Sequence, residues 1–238
     1  MKTLHASLSA EISALEQAHM NAVRSVAGEC MVLLENDGTL PLGAPCRIAL
    51  FGNGARETVK GGTGSGDVNS RFVVSIEQGL EEAGFTITTK AWLDAQEQAA
   101  RREREAFARH LEERAAREHT AVISIMLDEH FLPTALVPVT QAQMEASGTD
   151  TAVYVLARNS GEGADRSNIP GDYQLLDEEK RILTLLGQHY RRVLVLLNIG
   201  GIIDARAILD IPGINTLLFM GQLGNLTGAV VADVLLGK

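Results

Sequence analysis

The sequence has few cysteines, no excess of positive charge and no long hydrophobic segment, and each absence excludes a class of protein. Cys30 and Cys46 are the only cysteines among the 238 residues. Their spacing matches no metal-binding or redox motif, and two thiols are too few for a disulfide framework. We interpret both as reduced, structural residues and expect a cytoplasmic protein.

The charge and the N-terminal segment exclude further partners. The formal net charge is -9, so neither a nucleic-acid backbone nor an anionic membrane would be attracted to this surface. The N-terminus, MKTLHASLSAEISALEQ, carries charged and polar residues at close intervals. It has neither the apolar centre of a signal peptide nor a membrane-spanning stretch. We expect no nucleic-acid partner, no membrane partner and no secretion through a signal peptide.

The apolar residues follow two periods along the chain. Between residues 8 and 34 they recur every three to four positions, which predicts one long helix or a broken pair. Asp37, Gly38 and Pro41 then interrupt the helical pattern. Six apolar runs further on predict strands, and four helical patterns lie among them. The predicted strands are 48–51, 85–89, 120–127, 151–157, 192–198 and 214–220, and the helices are 70–84, 92–117, 176–190 and 226–238.

This alternation predicts an α/β fold. We expect a three-layer, flavodoxin-like sandwich with a mainly parallel sheet of about six strands and helices on both faces. One domain should cover residues 1–238, with a helical lead-in over residues 1–46. Acidic and basic residues interleave in the helix at 92–117, which is typical of a solvated helix with ion pairs. Residues 128–149 form a long predicted loop that covers a partner or edges a site.

A glycine-rich segment at 51–71 follows the first predicted strand but does not fit a phosphate-binding motif. Lys60 lies between Val59 and Gly61, so there is no Walker loop, and Glu57 occupies the third glycine position of a dinucleotide fingerprint. We therefore expect no cofactor. The segment still lies at the carboxyl end of a strand, where open parallel sheets bind ligands. Gly62 and Asp67 are candidates for substrate binding or loop support.

A second glycine-rich segment, RNSGEGADRSNIPGDYQL at 158–175, places Glu162 between two glycines after an apolar run. Taken alone, it is a surface glutamate in a turn. Arg158, Asp165 and Arg166 flank it and could hold the turn by ion pairs or contact substrate, and we favour loop support for all three. His130 has no visible base or metal partner, and we interpret it as structural or exposed.

The chain as a whole resembles the α/β-sandwich domain of glycoside hydrolase family 3, the β-glucosidase family. The similar segments span nearly the whole chain in order: ECMVLLENDGTLPL, RIALFGNGARETVKGGTGSGDVNSR, IEQGLEEAGFTITTKAWL, YVLARNSGEGADRSNIPGDYQLLDEEKRIL, VLVLLNIGGIID and ADVLLGK. Many members carry their general acid/base glutamate in a Ser-Gly-Glu-Gly turn, which matches residues 160–163. The resemblance therefore implies that Glu162 is a general acid/base.

The retaining mechanism of this family gives a chemical reason for such a turn. Two carboxyl groups must lie about 5–5.5 Å apart, one of them protonated to release the leaving group and then deprotonated to activate water. A glutamate on a glycine turn can reach the pocket of another domain. Its pKa would have to rise from about 4.3 toward neutrality, which requires desolvation and a neighbouring carboxylate.

The resemblance also implies what this chain lacks. Family members carry the nucleophilic aspartate on a (β/α)8 barrel, but the sequence has no eightfold strand-helix repeat and no Ser-Asp-Trp-like segment, since Trp92 stands in KAWLD. We expect a barrel domain of the same protein as partner, in the branch of the family where the barrel follows the sandwich. The implied substrate is a β-linked glucoside or related oligosaccharide.

Two alternatives remain open from the sequence. The chain could be a stand-alone carbohydrate-binding or interaction module that has no catalytic role. A flavodoxin-like nucleotide or flavin binder is the third hypothesis. The choice among glucosides, xylosides and larger plant glycosides is open as well.

Overall fold

A computed structural model describes residues 9–160 and 166–238, and its centre is a six-stranded sheet. The strands lie in the order β1-β6-β5-β4-β2-β3, and all neighbours are parallel except β1 and β6. This confirms the predicted mainly parallel α/β sheet. The strands are β1 (Val32–Asn36), β2 (Arg47–Phe51), β3 (Thr86–Ile87), β4 (Thr151–Arg158), β5 (Arg192–Ile199) and β6 (Thr216–Phe219).

Eight α-helices accompany the sheet in the described ranges. They are α1 (Ala14–Val26), α2 (Ile76–Glu82), α3 (Lys90–Glu118), α4 (Val122–Asp128), α5 (Gln141–Ala146), α6 (Asp177–His189), α7 (Arg206–Leu209) and α8 (Thr227–Leu235). Helix α1 begins with a capping box, in which Ser13 and Glu16 satisfy each other's backbone N–H groups. Over the residues that the structure describes, no helix is both long enough and apolar enough to cross a lipid bilayer.

The core lies around the two central strands. Every residue of β4 is buried, as are seven of the eight residues of β5, so both faces of the sheet are covered at its centre. Strands that are covered on both faces have continuous apolar sequences, which is why TAVYVLA and RVLVLLN could be recognised as strands. Helix α6 contributes Ile182, Leu183 and Leu186 to this core. The predicted three-layer arrangement is therefore confirmed.

The N-terminal region differs from the prediction. The helix expected up to residue 34 ends at Val26, a short 3-10 turn follows at Ala27–Cys30, and the next residues form β1 within the lead-in predicted as helical. β1 pairs antiparallel with β6, with an irregular register between Leu33 and Glu35. The sequence pattern missed this strand because its apolar residues continue the spacing of the helix, whereas pairing with β6 is a tertiary contact.

The run TAVISIML at 120–127, predicted as a strand, is also different. It forms helix α4, which leaves Ile123, Met126 and Leu127 exposed and buries Ile125 against Leu111 and Ala115 of α3. A short apolar run cannot be assigned to helix or strand by periodicity alone. Strand β2 already has β3 and β4 as neighbours, so this run has no place beside it in the sheet.

The predicted loop at 128–149 contains helix α5, whose first turn is closed by a capping box of Thr140 and Gln143. Strand β3 is shorter than the predicted run at 85–89. The helix predicted at 92–117 is present as α3, and Arg114 and Glu118 form one of the ion pairs expected along it.

Candidate functional site

The strand order places a switch point between β2 and β4. The chain leaves β2 toward β3 on one side, whereas it leaves β4 toward β5 and β6 on the other. In open α/β sheets, ligands bind in the crevice outside the carboxyl ends of the strands at such a point. The glycine-rich segment that follows β2 and the turn that follows β4 border this crevice.

The first glycines after β2 are required by close packing against β4. Gly52 has φ +99°, and a Cβ there would lie 2.2 Å from the carbonyl oxygen of Val155. The side chain of Asn53 accepts a hydrogen bond from the Ala157 N–H at 2.8 Å and donates one to the Ala157 carbonyl at 3.1 Å. The Gly-x-Gly at this position therefore fastens the loop across β4 and has a structural reason other than phosphate binding.

The later part of the same segment contacts the turn after β4. The backbone N–H of Thr63 donates to the carbonyl oxygen of Ser160 at 3.0 Å. A Cβ at Gly62 would lie 3.2 Å from that oxygen, so a larger residue would crowd the contact. Asp67, predicted with Gly62 as a site residue, lies 3.3 Å from Lys60 and is largely exposed. The structure thus brings Gly62 close to Ser160 at the start of the turn, whereas Asp67 forms an ion pair with Lys60 at the edge of the crevice.

Arg158 is the last residue of β4 and one of the two arginines that flank the turn. Its guanidinium is buried and donates from Nη2 to Oε2 of Glu179 at 2.5 Å, and from Nη1 to the Ala157 carbonyl at 2.9 Å. Glu179 lies in the first turn of α6 and is completely buried. Arg158 points into the core beneath the turn rather than into the crevice.

Arg166 stands at the other end of the turn. It donates to a carboxylate oxygen of Asp172 at 2.7 Å, to the Asn159 carbonyl at 3.5 Å and to the Gly200 carbonyl. The second carboxylate oxygen of Asp172 accepts from the Ser167 N–H at 2.7 Å. One guanidinium therefore joins both ends of the turn and ties them to the loop after β5.

Glu162 and Asp165 lie outside the described residues, between these two anchors. What the structure gives is the position of the flanking residues, Ser160 on one side and Arg166 on the other. Both belong to the carboxyl edge of the sheet at the switch point. The roles predicted for Glu162 and Asp165 stay predictions.

Sequence reasoning missed several polar residues that organise this edge. Asn198, near the end of β5, is fully buried; its side chain accepts from the Val59 N–H at 2.6 Å and donates to the carbonyls of Val59 and Gly221 at 2.9 Å and 2.8 Å. It thus joins the loops after β2 and β6 to the end of β5. The one signal in the sequence is a polar residue that closes the apolar run RVLVLLN. Glu179 and Asp172 gave no signal, since acidic residues are common in first helical turns and in loops.

An open cleft of about 410 Å³ lies beside the turn. Its wall includes Lys60, Arg104 and Asn159, and none of the described residues that line it is aromatic. Arg104 forms a two-pronged pair with Glu57, whose hydrogen bonds raise the pKa of the guanidinium. Lys60 and Arg104 are thus each paired with a carboxylate, and the wall offers polar hydrogen-bonding groups rather than a free positive charge.

Across the ranges 9–160 and 166–238, no three His, Cys, Asp or Glu side chains are grouped to hold a metal ion. His130 is exposed. The described chemistry of the edge therefore consists of ion pairs, backbone groups and side-chain amides.

The fold and this edge define an α/β-sandwich domain with a crevice at its switch point, and comparison with known proteins identifies its family. Residues 31–238 match the profile of the glycosyl hydrolase family 3 C-terminal domain. The chain belongs to glycoside hydrolase family 3.

Relatives and solved structures agree with this assignment. The chain is 29% identical over 231 residues to beta-glucosidase A of Butyrivibrio fibrisolvens, and 30% identical over 224 residues to a beta-glucosidase of Ruminococcus albus. These matches cover 93% and 92% of the chain. Beta-glucosidase 3B from Thermotoga neapolitana, solved in complex with alpha-D-glucose, superposes with a TM-score of 0.72 at 31% identity over 93% of the chain.

The chain is much shorter than these proteins. It covers 27% of the Butyrivibrio enzyme, 22% of the Ruminococcus enzyme and 29% of the Thermotoga chain. The domain is therefore shared with the relatives, whereas most of their length has no counterpart in the sequence described here.

Proposed function

We propose that this chain supplies the general acid/base, Glu162, and loops on the leaving-group side to a retaining β-glucosidase-like hydrolase. The nucleophile comes from a (β/α)8 barrel domain of the same protein, and the substrate is a β-linked glucoside or related oligosaccharide. Membership of family 3 and the names of the relatives support this proposal.

One observation carries the proposal. Both ends of the turn at 158–167 are tied at the switch point of the sheet, through the Thr63 to Ser160 hydrogen bond and the contacts of Arg166. A proton donor must stand at a defined distance from the second carboxylate, so a glycine-rich turn has to be fixed at its ends to act in this way.

The described carboxylates near the turn are poor substitutes for Glu162. Asp172 accepts from Arg166 and from the Ser167 N–H, one bond on each oxygen. Asp67 is paired with Lys60. A general acid must reach the leaving-group oxygen with a carboxyl oxygen, whereas these two carboxylates are engaged by basic side chains of their own loops.

The substitution Glu162→Gln in the full-length enzyme that carries this chain tests the assignment. We expect kcat for a glucoside with a poor leaving group, such as cellobiose, to fall at least about 100-fold, because its oxygen must be protonated to depart. A 2,4-dinitrophenyl glucoside needs no such proton, so cleavage of its glycosidic bond should change little. Azide should restore turnover of that substrate, since it attacks the covalent intermediate without a general base.

Glu145→Gln is the matched control, since it removes an exposed carboxylate from helix α5 and Glu145 is not a candidate site residue. We expect its turnover of both substrates to stay within a few-fold of the parent enzyme. Equal turnover of cellobiose by Glu162→Gln and the parent would contradict the acid/base assignment. Measurable binding of glucose and cellobiose to the isolated chain by titration calorimetry would then favour the carbohydrate-binding module. The cytoplasmic location stays a prediction.

A further inference from the structure

A cluster of buried polar groups lies between the end of β4 and the first turn of α6. Tyr154, Arg158 and Glu179 are each at most 2% exposed, and burial, followed by the nearby Glu179 charge, raises the pKa of the Tyr154 hydroxyl. Each of the three keeps one buried polar atom that has no hydrogen-bond partner among the described residues: Tyr154 Oη, Arg158 Nε and Glu179 Oε1. The proposed function uses none of these atoms.

Such a cluster is a poor way to stabilise a core. Removing two charges from water costs several kcal/mol per ion, and replacing a buried pair by apolar residues is often neutral or stabilising. The compensation is incomplete here, because one oxygen of Glu179 and the Nε of Arg158 find no partner within residues 9–160 and 166–238. Stability alone therefore does not explain why the chain buries this pair.

The geometry gives a different reason. One oxygen of Glu179 accepts from the Arg158 guanidinium at 2.5 Å and from the Leu176 N–H at 2.8 Å, so it joins the end of β4 to the first turn of α6. The carbonyl oxygen of Arg158 also accepts a hydrogen bond from the Gly200 N–H at 3.2 Å. A shift of Arg158 would therefore move both the start of the turn and the loop after β5.

Resting on the proposed function, we infer that Glu179 is a positioning residue for the acid/base turn, because it fixes Arg158 at the strand end from which the turn departs. Arg158 precedes Glu162 by four residues, so the position of the strand end limits where that carboxylate can reach. The pair acts through the backbone and does not contact the substrate.

Paired substitutions separate positioning from stability. In Glu179→Gln the Leu176 cap keeps an acceptor, but Arg158 remains as a buried unpaired cation. We expect this variant to melt roughly 10 °C below the parent chain. In the double variant Arg158→Met/Glu179→Gln no buried charge remains, and we expect melting within about 3 °C of the parent.

Amide hydrogen exchange by NMR on this 238-residue chain then reports the position of the turn. The Gly200 amide reports the hydrogen bond to Arg158 at the strand end, and the Thr63 amide reports the hydrogen bond to Ser160 at the start of the turn. The amide of Val195, in the centre of β5, is the internal reference. We expect Gly200 and Thr63 to exchange at least about tenfold faster in the double variant, with Val195 within about twofold of the parent.

Glu178→Gln is the matched control, because Glu178 neighbours Glu179 on α6 but pairs with Arg181 at the surface. It should melt and exchange like the parent. The inference is overturned if the double variant regains both parental melting and parental protection of Gly200 and Thr63. It is also overturned if Glu178→Gln accelerates the same amides.

A further variant covers the case in which the double variant does not regain stability. Glu179→Asp keeps the charge but shortens the side chain by one methylene, so it should loosen Arg158 and accelerate the Gly200 and Thr63 amides relative to Val195. Parental protection in Glu179→Asp would contradict the inference. None of these readouts depends on turnover, so a failure of Glu162 as acid/base is seen separately, in the kinetics of Glu162→Gln.

Discussion

The two ion pairs that flank the turn share their chemistry and differ in burial. Arg158 and Glu179 are 2% and 0% exposed, whereas Arg166 and Asp172 are 10% and 11% exposed. Asp172 lies in the loop before α6 and Glu179 in the first turn of that helix, so both arginines pair with carboxylates of one short segment. The comparison shows that the same type of ion pair lies in the core at one end of the turn and closer to the surface at the other.

A third ion pair lies at the surface and is more exposed than the other two. Arg192 and Asp150, at the opposite end of the central strands, are 34% and 48% exposed. Water screens such a pair and can replace either partner. If burial controls how much each ion pair contributes to the free energy of unfolding, removal of one partner should reduce that free energy most for the Glu179 pair. The loss should be smaller for the Asp172 pair and smallest for the Asp150 pair.

The largest effect is expected from Arg158→Met. It leaves the buried carboxylate of Glu179 without its cation, and the loss of an uncompensated partner costs about 3–5 kcal/mol of unfolding free energy. Urea unfolding measures this loss. Arg181→Met removes the partner of Glu178 at the surface of the same helix and should change the free energy by less than about 1 kcal/mol. Equal losses of unfolding free energy in the two variants would contradict the dependence on burial.

A smaller loss is expected from Arg166→Met. Asp172 keeps the Ser167 N–H and lies close enough to the surface for water to replace the guanidinium. We expect a loss of about 1–2 kcal/mol by urea unfolding. Arg109→Met, on an exposed position of α3, controls for the change of residue type. A loss as large as that of Arg158→Met would show that burial is not the controlling variable.

The smallest effect, and a pH-dependent one, is expected from Asp150→Asn. Hydrogen bonding to Arg192 holds the pKa of Asp150 below its usual value, so the folded state favours the ionised carboxyl. The resulting stability is present above the unfolded pKa of about 3.9 and is lost as the pH falls through the lower folded pKa.

We therefore expect Asp150→Asn to cost about 0.2–1 kcal/mol at pH 7 and progressively less toward about pH 3. Thermal unfolding of the parent and the variant across this range measures the difference. A difference that grows on acidification would contradict the sign of the pKa shift.

Two similar apolar runs show how far the sequence could predict the fold. TAVYVLA at 151–157 and TAVISIML at 120–127 share their first three residues and are both rich in β-branched residues. The first is the fully buried strand β4, and the second is helix α4 with one buried residue. The composition of the run predicted the element correctly at β4, which is covered on both faces. It predicted the wrong element at α4, which packs on α3 through a single face.

The candidate site divides in the same way. The carboxyl-edge location and the pairing of glycine-rich segments could be predicted, because each segment follows a recognisable strand. The partners of Arg158 and Arg166 could not, since Glu179 and Asp172 are 21 and 6 residues away in the chain and carry no local pattern.

The α/β class, the central strands, most helices and the family could be predicted from the residues alone, because continuous apolar runs and their order along the chain are local properties. Two outcomes could be seen only in the folded protein: β1 rather than the run at 120–127 completes the sheet, and Arg158 and Arg166 pair with Glu179 and Asp172. Those outcomes depend on which surfaces remain free for pairing and on where a buried charge finds its counter-charge, and both are set by residues distant in sequence.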